Sequence, residues 1–171
     1  EMTMGDWSSD VCSSDLKNMD IKIQKKPAFT VAGVLLEAIN NSQYPSAWGQ
    51  LYANHSFESL ESLGSGQSFG VCSDVKEGEN INYMAAYDVA YKAKAEELGL
   101  SIKEIAEAEY AIVPVKGAIP ASIHHAWKYV LEVFFPETGY RHSGAPDFEV
   151  YTEGDMSSSD YQMELWIPVV K

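Results

Sequence analysis

EYAIVPVKGAIPASIHHAWKYVLEVFFPETGYRHSGAPDFEVYTEGDMSSSDYQMELWIPVV, residues 109–170, carries the pattern that decides the fold. EYAIVPV is a short apolar run and reads as a strand. PASIHHAWKYVLEVFF reads as a helix, because Ile123, Trp127, Val130, Leu131 and Phe134 recur on one face. Pro136 and Gly139 follow as stop signals. FEVYTE and YQMELWIPVV are two further strands. The order is therefore strand, helix, strand, strand.

The first half of the chain reads the same way. MDIKIQ and FTVAGVLL read as strands. In YPSAWGQLYANHSFESL, Trp48, Leu51, Tyr52 and His55 share a helical face, and Pro45 suits a first turn. SFGVCSD and INYMAAYDVA are strands after the loop ESLGSGQ. KAKAEELGL is a charged connector with a brief helix, and SIKEI is a strand. A shift of 79 residues superposes the halves: Trp48 meets Trp127, Phe69 meets Phe148, Val71 meets Val150, and Met84 meets Met163. The predicted fold is α+β, a single domain over residues 17–171. Two pseudo-twofold-related strand–helix–strand–strand modules, about 19–91 and 101–171, form a mostly antiparallel curved sheet carrying two main helices. A cleft near the pseudo-axis is the natural ligand site.

Residues 1–16, EMTMGDWSSDVCSSDL, follow no structural period and lack the basic start and apolar stretch of a signal peptide. Gly5–Leu16 back-translates onto a common sequencing-library adapter. The expectation is a non-native, disordered leader. Without its four acids (Glu1, Asp6, Asp10, Asp15) the formal charge changes from −13 to −9. Cys72 is then the lone cysteine, which fits a reducing, cytoplasmic setting. Twelve Lys+Arg against 25 Asp+Glu, with Arg141 the sole arginine, argue against direct nucleic-acid binding, which needs clustered bases. No run of eighteen apolar residues spans a membrane.

Residues two apart on a strand share a face. Glu149 thus lies beside Tyr151, and Glu164 beside Trp166. Paired as a hairpin, these strands are expected to gather both acids and both rings on one face, with Phe148, Val150, Met163, Leu165 and Ile167 on the other. A carboxylate in apolar surroundings is costly unless paired or protonated, which points to a bound cation. Either acid taken alone also fits a solvated face. His124 and His125 are adjacent on a helix and point about 100° apart, a poor metal pair. Ser122 lacks a nucleophile elbow. Cys72 reads as packing.

VAGV near the start, EYAIVPVKG, HHAWKYVLEVFFPETGY, GAPDFEVY and the terminal MELWIPVVK resemble the GyrI-like small-molecule-binding domain, also known as the AraC-type or bacterial transcription activator effector-binding domain. The resemblance covers about residues 19–171. It implies a central pocket for lipophilic, often cationic compounds, in an effector sensor or a sequestering protein, with no cofactor and no metal. It carries the pocket acid onto Glu164, slightly preferred, or Glu149. It places the aromatic lining at Tyr151, Trp166, Tyr110 and Trp127. Relatives stand alone or follow a helix-turn-helix, and no such motif precedes Met19; a lost or separate DNA-binding domain stays open. Two alternatives also stay open: a hydrolase of reactive cyclopropane-type compounds with Glu164 or Glu149 as base, and a protein inhibitor of DNA gyrase.

Overall fold

The structure, a computed structural model, describes residues 20–73 and 80–171. The leader expected at residues 1–16 and the start of the first module lie outside them. Nine strands are present among the described residues: β1 (Lys22–Lys26), β2 (Phe29–Ile39), β3 (Ser68–Ser73), β4 (Ile81–Asp88), β5 (Ser101–Ile105), β6 (Ala108–Lys116), β7 (Arg141–His142), β8 (Asp147–Val150) and β9 (Gln162–Val170). The helices are α1 (Tyr44–Asn54), α2 (Phe57–Glu61), α3 (Lys92–Glu97), α4 (Ala121–Tyr129) and α5 (Phe135–Thr138). Among the described residues, no helix is long and apolar enough to cross a membrane.

All strand pairs are antiparallel, in the order β1-β6-β9-β8-β3-β4-β2-β5, with β7 beside β9. Exchanging β1 with β5, β2 with β6, β3 with β8 and β4 with β9 leaves this order unchanged when it is read backwards. The pseudo-axis passes between β3 and β8, through the pair Gly70 and Glu149. The symmetry is imperfect in the last strand. Gly70 opposes Ala85, whereas Glu149 opposes Leu165, so Leu165 corresponds to Ala85 at an offset of 80 residues. The counterpart of Met84 is therefore Glu164, not Met163 as the ungapped shift predicts. One extra residue between β8 and β9 is enough to cause this, and a one-residue slip turns every side chain to the other face.

α1 covers a cluster containing Ala32, Leu51, Leu60, Tyr83 and Ala85. α4 covers another, with Val113, Ile123, Val130, Leu165 and Ile167. The sheet's second face holds Phe69, Val71, Met84, Tyr110, Ile112 and Phe148. No helix is needed there because the sheet curls. Phe29 of β2 and Phe148 of β8 are three strands apart in the order, about 14 Å in a flat sheet, yet their ring centroids lie 5.4 Å apart.

The helices depart from their sequence reading in three places. α1 ends at Asn54, and His55 is extended (φ −142°), so His55 leaves the expected face. Residues 130–134 form a π-helical segment after α4. Ala126 and Tyr129 turn toward the sheet, and at about 100° per residue this puts Leu131 on the solvent side, 56% exposed. Pro136 does not stop the helix. It lies in the first turn of α5, where its missing N–H costs nothing. Gly139, at φ 82°, ends it.

Candidate ligand-binding site

The two main helices and the sheet between them enclose a cleft of about 430 Å³, within the usual span of small-molecule sites, about 300–1,000 Å³. Its first wall is α1. Tyr44, Trp48 and Tyr52 recur every fourth residue and so project from one side of the helix. Asn40 and Gln43 form a capping box just before it. Ile119, Pro120 and Ile123, at the start of α4, build the opposite wall with Met156 of the β8–β9 loop. Tyr83, Glu149 and Tyr151 form the floor, on the pseudo-axis.

The rings pack in an ordered way. Tyr44 stacks on Tyr83 with centroids 4.0 Å apart and planes 8° apart. Trp48 meets Tyr151 edge-on at 5.6 Å. The Tyr52 hydroxyl bonds that of Tyr87 at 2.8 Å. The polar tips of Trp48, Tyr52, Tyr83 and Tyr151 thus have partners while the ring faces line the cleft.

Glu149 is 9% exposed. Its Oε1 accepts from the Tyr83 hydroxyl at 3.0 Å and the Tyr151 hydroxyl at 2.5 Å. Trp48 Nε1 donates to the Tyr83 hydroxyl at 2.9 Å. An indole N–H can only donate, so the Tyr83 proton is directed to Glu149. Burial pushes the Glu149 carboxyl up to about 6; the two tyrosines pull it down, and nearby Asp147 adds a smaller upward push. Burial also raises Tyr83 and Tyr151, reinforced by the Glu149 charge, so both phenols keep their protons as donors. No Lys, Arg or His forms an ion pair with Glu149 among the described residues. Asp147, buried beyond it, shares a hydrogen bond with His142 Nε2 at 3.1 Å. No group of three or more His, Cys, Asp or Glu side chains among the described residues is placed to hold a metal.

Residues 19–170 match the GyrI-like small molecule binding domain. The chain belongs to this family. No curated protein matches it by sequence. Among solved structures, SAV2435 bound to tetraphenylphosphonium is similar at 21% identity and a TM-score of 0.74, over 89% of this chain and 94% of that one. The C-terminal domain of EcmrR is similar at 18% identity and a TM-score of 0.68, over 90% and 99%. EcmrR in its DNA complex is matched over 63% of its length at a TM-score of 0.62, with 18% identity and 95% of this chain covered. A hydrolase encoded by lin2189 from Listeria innocua is similar at 13% identity and a TM-score of 0.59, over 88% and 91%. At these identities the shared feature is the fold.

In this GyrI-like chain the residues singled out from sequence separate. Glu149 and Tyr151 line the cleft. Glu164, Trp166 and Tyr110 lie on the opposite face of the sheet, outside it. The expected clustering of the two acids does not form, because Glu164 opposes Val150 and Trp166 opposes Phe148 in the β8–β9 register. Glu149 shares its face with Leu165. Glu164 is exposed and accepts from Trp166 Nε1 at 3.0 Å. Tyr110 is buried among Phe148 and Trp166. Trp127 packs in the second-module core and stacks on His142, also outside the cleft. Sequence reasoning missed Tyr44, Tyr52 and Tyr83 as lining. The fourfold spacing of rings at 44, 48 and 52 was the available signal for the first two.

Proposed function

We propose that the cleft captures a lipophilic organic cation without chemistry, with Glu149 as counter-charge. The observation that carries this reading is a carboxylate buried at the floor of an aromatic cleft, with hydrogen-bond donors but no cationic side chain paired to it among the described residues. Burying an uncompensated charge is unfavourable, and a bound cation supplies the missing partner. The rings of Tyr44, Trp48, Tyr83 and Tyr151 add apolar area and cation–π attraction, each worth roughly 0.5–2 kcal/mol. Ile119, Pro120, Ile123 and Met156 accommodate the apolar body. SAV2435, bound to such a cation, supports the reading through its shared fold.

Calorimetric titration with tetraphenylphosphonium tests it. Micromolar binding is expected, at least tenfold weaker in Glu149→Gln and unchanged in Glu164→Gln. Equal affinity in wild type and Glu149→Gln would refute the proposal. The near-complete coverage of the EcmrR C-terminal domain favours a compatible second reading, the sensor part of a DNA-binding regulator. Genomic sequence upstream of Met19 that encodes a helix-turn-helix in frame would support it, and a stop codon there would reject it.

A further inference from the structure

The pseudo-axis brings two positions face to face, and only one of them has a side chain. Glu149 on β8 is paired directly with Gly70 on β3. The offset of 79 residues makes each the symmetry counterpart of the other. A Cβ built on Gly70 would lie 2.4 Å from Glu149 Oε1, 2.4 Å from the Tyr83 hydroxyl oxygen and 3.1 Å from Tyr83 Cζ. Real Cβ atoms do not sustain non-bonded contacts under about 3 Å, so something has to move.

The identity of the atoms decides what moves. Tyr83 is held by its stack on Tyr44 and by the Trp48 hydrogen bond. The Glu149 carboxylate is the end of a flexible side chain and faces an open cleft. It gives way first. Gly33 is the contrasting case. There the added Cβ would lie 1.8 Å from the Ala85 carbonyl oxygen and 2.8 Å from the Ala86 Cα, and backbone cannot step aside.

We infer that Gly70 is a positioning residue for the binding site: its missing side chain is the slot that holds the Glu149 carboxylate against the Tyr83 hydroxyl. The axis therefore has room for one acid, not a symmetric pair. This rests on the reading of Glu149 as counter-charge.

The test is a double-mutant cycle with tetraphenylphosphonium as probe. Gly70→Ala is expected to melt as a folded domain and to bind at least tenfold more weakly than wild type. In the Glu149→Gln background the same alanine is expected to cost at least threefold less than it does in wild type, because the charge it displaces is gone and only the shift of the Tyr83 ring remains. Equal binding by Gly70→Ala and wild type overturns the inference. So does an equal loss in both backgrounds, since that marks a purely structural role. Should Gly70→Ala fail to fold, the pair is compared on Tyr83→Phe, where the hydroxyl contact is absent. There the alanine has to fold and still weaken the probe tenfold, and failure of either overturns the inference. If Glu149→Gln itself binds like wild type, the fault lies with the counter-charge reading and not with the slot.

Discussion

Glu149→Gln is expected to make the unliganded domain more stable while it weakens the cation site. Burial lifts the Glu149 carboxyl from 4.5 to about 6. The folded chain then holds this proton more tightly than the unfolded chain does. The stability linked to it is full below pH 4.5 and is lost as pH rises through 6. A shift of about one and a half units at 1.36 kcal/mol each amounts to about 2 kcal/mol lost at pH 7. Glutamine carries no charge to desolvate, and its amide oxygen can still accept from Tyr83 and Tyr151. For a domain of this size, about 2 kcal/mol corresponds to a rise of about 4–8 °C in Tm. Scanning calorimetry of both proteins at pH 7.5 and pH 4.5 is the assay. The gain should be present at pH 7.5 and nearly absent at pH 4.5. A variant that melts at or below wild type at pH 7.5, or one whose gain is the same at both values, would show that Glu149 is not held at a cost in the apo state. Opposite signs for stability and binding are the usual mark of a site strained for function.

Three further outcomes follow from the same geometry. Tetraphenylphosphonium affinity should fall about tenfold between pH 7.5 and pH 5, since a carboxyl near 6 is then mostly protonated; a flat titration series would contradict this. Phe148 is 1% exposed and touches the rings of Phe29, Phe69 and Trp166, so Phe148→Ala should cost about 3–5 kcal/mol in urea unfolding. Glu164→Gln, on the exposed face, should shift stability by no more than about 0.5 kcal/mol in the same assay.

Strand and helix identity were legible from residue 20 onward because they are local properties. The apolar run of β6, the alternation of β8 and β9 and the helical stripe of α4 each lie within a few residues of sequence. The shared plan of the two halves was visible through the common offset, and so was the hairpin of β8 and β9. Glu149 and Tyr151 were legible as a pair because residues two apart on one strand share a face whatever that strand touches. The placement of Glu149 and Glu164 on opposite faces of the sheet was not legible. It depended on register, and register is set by the loop between the strands and by packing along their whole length.

What the sequence determined by itself was the class of fold, the kind of site and two candidate acids for it, Glu149 and Glu164. The tertiary structure alone decided which acid, which rings and which empty position belong together. Tyr83 and Glu149 are 66 residues apart in the chain, and Gly70 and Glu149 are 79 apart. Such contacts arise only when antiparallel strands settle into one alignment, and a period read along a single strand contains no information about its neighbour.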